Sequence, residues 1–279
     1  MAKRKEDIRN VIVISDTHVG CQMALCHPDG AALDAGGFYD PSELQRKVYA
    51  IWDQFWSEWV PRVTHGEPFA VVHNGDAIDG SHHNSTTQWS HNINDQVEHA
   101  VQLLTPVVEA CEGRYYHIRG TEAHIGQSGV DEENLAKKLG AIPNETGNFA
   151  RWELWKKIGP HLVHFSHHIG TTSSAAHETS AVNAELASCF NEAGRWGHTP
   201  PAVVVRSHRH RSCEVRLPAK WGYATGFVTP AWQLKTPFVF RIPGGRTSTP
   251  QIGGSIIRLG DEELHTRHFV VDIGRGRTE

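Results

Sequence analysis

Five short apolar runs in this sequence each end in side chains able to hold a divalent cation. Asp16 and His18 come at the end of the run 11–15 (VIVIS), and Asp76 follows 69–74 (FAVVHN) with Asp79 three residues on. Glu122 and His124 follow 115–119 (YYHIR), His167 closes 161–166, and His208 and His210 follow 202–206 (AVVVR). Carboxylate oxygens and neutral imidazole nitrogens are the donors that Mn, Fe, Zn and Ni accept. Two such cations roughly 3.5–4 Å apart, bridged by a carboxylate, lower the pKa of a water between them and hold phosphoryl oxygens. The chemistry this suggests is hydrolysis of a P–O ester bond by a metal-bridging hydroxide, with Asp76 as the bridge. Histidine is abundant, 20 of 279 residues, but its placement at run ends carries the argument.

The runs that position these groups read as strands of a sheet covered on both faces, because β-branched residues fill them without a polar alternation. Between them lie helical patterns at 40–60, 95–111 and 131–139, so the order is βαβ, and the C-terminal strand ends line one crevice. The first helix is expected to start at an Asp40 N-cap, with Pro41 in its first turn and Glu43 completing a capping box. Its Leu44, Val48, Trp52, Phe55, Trp56 and Trp59 follow helical spacing and are read as core. Segments 149–158 and 161–166 flank Gly159-Pro160 as a hairpin, and a further helix is expected over 173–193. Beyond His210 the pattern is mostly β, with strands at 223–228, 238–242, 255–259 and 263–272. His73, His117 and His164 lie inside strands and are read as hydrogen-bonded interior residues. The long segments 19–39 and 243–254 are candidate walls of the site.

In these motifs the chain resembles the calcineurin-like metallophosphoesterase superfamily, whose pattern is Asp-x-His, Gly-Asp-x-x-Asp, Gly-Asn-His, a later His, and Gly-His-x-His. Asp16-Thr17-His18, Gly75-Asp76-Ala77-Ile78-Asp79, His167 and His208-Arg209-His210 fit four of the five. The resemblance covers about residues 11–210. It implies an α/β fold of four layers, αββα, with two mixed β-sheets face to face and helices outside, in a single domain over 1–279 whose part 211–279 is mostly β. It further implies one metal held by Asp16, His18, Asp76 and His210 and a second by Asp76, His167 and His208, with Asp79 behind the ligands. The phosphodiesterase or nuclease branch is favoured, against phosphomonoesterase, protein phosphatase or a metal-binding scaffold without turnover. Two divalent ions, manganese first, are the expected cofactors.

The third motif departs from the family: Gly120-Thr121-Glu122-Ala123-His124 stands where Gly-Asn-His is expected. Glu122 is taken to replace the asparagine as a ligand, with Thr121 as the alternative, and His124 to serve the leaving oxygen as proton donor or transition-state stabiliser. Ser207 stands where the family has glycine before His208. Such variants are similar to small phage- and prophage-encoded members. His83 and Asn84, after the second motif, are candidate substrate contacts.

Composition narrows the remaining classes. With 39% hydrophobic, 21% charged and 9% aromatic residues the chain is globular, and 27 basic against 31 acidic residues give a net charge of −4. This balance provides no general electrostatic attraction to nucleic acid or an anionic membrane, so the expected partner is a phosphoester substrate, with nucleotide or nucleic acid admitted through a local site. Five scattered cysteines do not form a disulfide framework, and no run reaches a membrane span, which together point to the cytoplasm.

Overall fold

A computed structural model describes residues 8–82, 85–170, 175–242, 245–246 and 248–273. His83 and Asn84 lie outside the described residues. The chain starts with β1 (Asn10–Ile14), followed by a small ribbon, β2 (Ala31–Ala32) and β3 (Phe38–Tyr39). Next come α1 (Glu43–Gln54), a π-helical turn (Phe55–Trp59), α2 (Val60–Thr64), β4 (Phe69–Asn74), α3 (Ile93–Ala110) and β5 (Tyr115–Ile118). After α4 (Glu122–Ile125) and α5 (Val130–Lys138) the chain forms β6 (Ala150–Arg151), β7 (Leu154–Ile158) and β8 (His161–Phe165). The last elements are α6 (Glu178–Trp196), β9 (Val203–Arg206), β10 (Cys213–Ala219), β11 (Gly222–Val228), β12 (Gln251–Leu259) and β13 (Leu264–Asp272).

Two mixed sheets result. One has the order β13-β12-β1-β4-β5-β6, with β1, β4, β5 and β6 parallel; the other has the order β10-β11-β9-β8-β7, with β11, β9 and β8 parallel. The period-2 geometry of a strand splits each buried run between two layers. Val11, Val13, Ala70, Val72 and Ile118 of the first sheet share an interior with Val163, Phe165, Val203, Val205 and Phe227 of the second. The alternate residues Ile12, Ile14 and Val71 pack outward on Val48, Trp52, Leu103, Leu104 and Leu135 of α1, α3 and α5. On the far side, Val182 and Leu186 of α6 cover Val204, Ala224 and Val228. The layers are therefore helix, sheet, sheet, helix, the αββα arrangement that the resemblance implied.

Local expectations differ from the structure in four places. The N-cap of α1 is Ser42, whose side chain accepts from Gln45 N while the Gln45 side chain accepts from Ser42 N, a reciprocal capping box. Asp40 instead pairs with Arg46 at 2.7 Å, so of two overlapping capping patterns the serine one is used. The long aromatic helix is interrupted by its π turn, where Phe55 and Trp59 stack at 5.1 Å between Trp232 and Phe269, while Leu44 is exposed. Residues 238–242 form one 3₁₀ turn (Val239–Arg241) with Phe238 and Phe240 exposed; flanking Pro237 and Pro243 leave these aromatics no strand to pair with. Finally, β10 was not evident in the sequence, because Pro218 and an alternation of polar residues mark it as an edge strand.

Candidate metal centre

Each parallel strand delivers its polar residues at the same end, and the first two loops continue the pairing of β1 with β4. Asp16 N donates to Gly75 O (2.9 Å), His18 N to Asp76 O (3.1 Å) and Val19 N to Ala77 O (2.9 Å). In the second sheet Ser207 N donates to His167 O (2.9 Å), continuing the pairing of β9 with β8, and across the sheets His208 N donates to Asp16 Oδ2 (3.4 Å). Asp16, His18, Asp76, His208 and His210 all have positive φ, between 40° and 73°. Non-glycine residues seldom adopt this left-handed region, and those that do cluster where a fixed side-chain direction is needed. The glycines beside them serve close approach: a Cβ on Gly75 would meet the His167 ring at 2.5 Å and Gly120 Cα at 2.8 Å, and one on Gly120 would collide with the Asp76 carboxylate.

Three groups of donor atoms converge among the described residues; one, His18, Asp79 and His124, shares His18 with the first of the two sets described next. In the first, His18 Nε2 lies 3.1 Å from His210 Nε2, and Asp16 Oδ1 lies 3.2 Å from His210 Nε2 and 3.9 Å from His18 Nε2. Asp16 Oδ1 is buried and accepts no hydrogen bond. In the second, Asp76 Oδ2 is 3.0 Å from His167 Nε2 and 3.9 Å from His208 Nδ1. The Thr121 hydroxyl joins this second set, 3.2 Å from Asp76 Oδ2, 3.4 Å from His167 Nε2 and 3.1 Å from His208 Nδ1. Donors about 2.1 Å from a cation stand about 3.0 Å apart at right-angle coordination and about 3.4 Å apart at tetrahedral coordination. The shorter edges match these spacings, the 3.9 Å edges are wider, and the donor types of both sets are those that can hold a divalent ion.

Glu122 does not join either set. It is exposed and opens α4, directed toward an open cleft, while Thr121 as N-cap turns its hydroxyl inward. The residue brought next to the second set is therefore Thr121, in place of the expected Glu122. Of the pair His167 and His168, the buried His167 faces Asp76, and His168 lies beside the rings of His167 and His208.

The imidazoles are oriented from behind. His167 Nδ1 must donate to Asn74 O (2.7 Å), because a carbonyl only accepts, and this leaves Nε2 toward Asp76. Asp79 Oδ1 lies 3.3 Å from His18 Nδ1, and the same carboxylate accepts from Gln88 (2.6 Å) and Gln233 (3.3 Å). His124 Nδ1 donates to Asp79 O (2.6 Å), so its Nε2 is the nitrogen left to act. His82 packs on His124, ring centres 4.3 Å apart, and lies 3.5 Å from Asp79 Oδ2. Ser207 is accounted for by a buried chain of polar groups: Asn74 Nδ2 donates to its Oγ (2.7 Å), as does Thr229 (2.8 Å), and Thr229 also contacts Ser15 (2.7 Å), which bonds Asp16.

Below the two loops sits Glu132, buried on α5, whose Oε1 accepts from Ala77 N (2.8 Å) and Oε2 from Gly120 N (2.7 Å). It ties the loop of Asp76 to the loop of Thr121. The sequence offered no signal for this role, since an acidic residue in a first helical turn ordinarily complements the helix dipole. His73 and His117 stack at 5.0 Å in the same interior, as expected of strand histidines.

The carboxyls and imidazoles of the site shift one another. Burial raises the Asp16, Asp76 and Asp79 carboxyls, but the facing histidines (His210, His167 and His18 respectively) more than offset it and hold all three well below the usual range. Burial lowers His167, yet Asp76 beside it raises the imidazole to about 10. Burial lowers the half-buried His124 to about 4, so its imidazole is neutral.

No known family model matches the chain, and no curated protein matches it. Among solved structures, it is similar to a conserved uncharacterized protein and predicted phosphoesterase from Streptococcus pneumoniae TIGR4, with 12% identity, 94% of this chain and 98% of that chain covered, and a TM-score of 0.36. Vps29 from Entamoeba histolytica, as a double mutant, gives 11%, 94%, 99% and 0.37 in the same order. Vacuolar Protein Sorting 29 from Cryptosporidium parvum gives 10%, 95%, 98% and 0.34. Likeness at this level transfers neither activity nor partners. What the fold and site define by themselves is a two-sheet αββα sandwich with paired histidine–carboxylate clusters at its strand ends.

Proposed function

We propose that the chain is a dinuclear metal-dependent phosphoesterase, with Asp16, His18 and His210 holding one cation, His167, His208 and Thr121 the other, and Asp76 serving both. The observation that supports it most is the convergence of two donor sets, with edges between 3.0 and 3.9 Å, five of whose residues (Asp16, His18, Asp76, His208 and His210) have left-handed backbone conformation. Divalent cations held there, manganese first, supply Lewis acidity that lowers the pKa of water and offsets charge on the phosphoryl oxygens.

The protein's own groups do the rest. Asp79 fixes the His18 ring, and Asn74 O fixes that of His167, so both present Nε2 to the site. His124 is neutral in the free protein; an anionic phosphoester beside it favours the imidazolium. It takes a proton at Nε2 and delivers it to the leaving alcohol as the P–O bond breaks and a water oxygen bonds to phosphorus. Of the phosphoester classes, a small phosphodiester is the reading we favour. The unpaired state of all five cysteines is consistent with a reducing cytoplasm. No described helix is long and apolar enough to cross a membrane.

The test is hydrolysis of bis(p-nitrophenyl) phosphate by metal-stripped protein with and without Mn²⁺. Turnover that requires both added metal and Asp76, lost in Asp76→Asn, is expected. Bound metal without turnover of either this diester or p-nitrophenyl phosphate contradicts the enzyme and supports a scaffold of the same fold.

A further inference from the structure

Beside His124 the surface opens into a cleft of about 760 Å³. Gly80 and His82 line it, and both pack on His124; Glu122 and Ala123, its neighbours in sequence, line it as well. A volume of this size is that of a small-molecule site rather than a groove for a polymer. The cleft therefore lies on the side where the group serving the leaving oxygen stands.

Its chemistry is selective. Ile93 and Ala123 give apolar contact, while Ser81, Gln127 and Ser128 offer both donors and acceptors. The charged groups of the lining are Glu122 and Asp131, with no lysine or arginine among the described lining residues. A phosphate or carboxylate on the leaving group would face two carboxylates with no cationic side chain in the lining to compensate them, since Arg119 at its edge is held by Ser128 O (3.3 Å) and Glu133 (3.2 Å), and the contact is repulsive. A purely cationic group would leave the serine and glutamine donors unmatched. Hydroxyl groups satisfy both kinds of partner.

We propose that this cleft receives the leaving alcohol, and that Glu122 and Asp131 make the protein select phosphodiesters whose leaving alcohol is uncharged and hydroxyl-bearing, such as a nucleoside or sugar, against those whose alcohol carries further phosphate. The inference rests on the phosphoesterase reading above. It gives Glu122 a role in specificity rather than in metal ligation. Hydrolysis adds water across the P–O bond, so the products are a phosphomonoester and the neutral alcohol.

The experiment compares kcat/KM of the manganese-loaded protein for a dinucleoside monophosphate and for the same compound with a terminal phosphate on the leaving nucleoside. Products are resolved by chromatography, and bis(p-nitrophenyl) phosphate is run in parallel. The neutral leaving group is expected to be preferred at least tenfold. Glu122→Gln combined with Asp131→Asn should shrink that ratio several-fold, and Glu122→Lys should shrink it further, with expression and thermal melting checking that the variants fold. Turnover of the chromogenic diester together with a ratio near one, or a preference for the phosphorylated compound, overturns the inference and leaves the phosphoesterase reading intact. Preference for an amine-bearing leaving group, tested with a choline diester, overturns it in favour of a cation pocket. Absence of chromogenic turnover counts against the parent reading instead.

Discussion

Thr121 grips Asp76 twice: its backbone N–H donates to Oδ1 at 2.6 Å and its hydroxyl to Oδ2 at 3.2 Å. The same hydroxyl stands 3.1 Å from His208 and 3.4 Å from His167, so one small side chain completes the donor set that the altered third motif had left short. Its partner in the motif, Glu122, faces solvent.

This relationship separates two residues adjacent in sequence. Thr121→Val keeps the volume and the backbone donor but removes the hydroxyl, and it should weaken the second metal equivalent about 10–100-fold, the range seen for groups that complete or support a metal shell. Glu122→Gln should change metal affinity less than twofold. Calorimetric titration of Mn²⁺ into stripped protein checks both, and a larger loss in Glu122→Gln than in Thr121→Val would restore the glutamate as ligand.

Glu132 offers a second point of attack, because one buried carboxylate holds Ala77 N and Gly120 N and thereby sets the spacing of the two loops. In Glu132→Gln one of the two backbone N–H groups meets an amide N–H₂ in place of an oxygen. An unsatisfied buried donor costs about 1–3 kcal/mol. We expect melting to fall by several degrees and the second metal to bind more weakly, with kcat reduced more than KM is raised. Unchanged melting and metal affinity would show that the clamp is dispensable.

The metal-free protein should also carry a signature in pH. His167 is raised from 6.5 to about 10 by Asp76, so the pair stabilises the folded state fully below about pH 6.5 and loses that contribution as pH rises through about 10. A cation takes the place of the His167 proton, and its apparent affinity should climb with pH, by roughly tenfold per unit for one proton released. Melting of stripped protein from pH 6.5 to 9.5, with and without Mn²⁺, reads both trends. The stripped form should fall and the gap between the two forms should widen. A gap independent of pH contradicts the assignment of His167.

Much of this site is legible in the sequence for a simple reason. The runs VIVI, FAVV and VVVR admit little except buried strands, and a buried parallel strand exposes its polar residues only where it ends. Asp16, His18, Asp76, His167, His208 and His210 could thus be placed together from the sequence alone. Thr121 could not be chosen over Glu122, because which side chain turns inward depends on where α4 begins, and a four-residue helix leaves no periodicity to read. Glu132 was hidden for a different reason: its work is on backbone N–H groups of loops 12 and 55 residues away, which have no side-chain signature. Residues 238–242 show the converse, aromatic composition without an edge to pair with.

Two cations per chain, both needed for turnover, are the central requirement of the proposed centre. Metal-stripped protein, titrated with Mn²⁺ while bound metal and hydrolysis of bis(p-nitrophenyl) phosphate are followed together, should bind two equivalents and reach full activity only as the second is filled. Asp76→Asn should bind weakly and stay inactive. A single equivalent sufficient for full activity, or turnover unaffected by stripping, would contradict the two-metal centre.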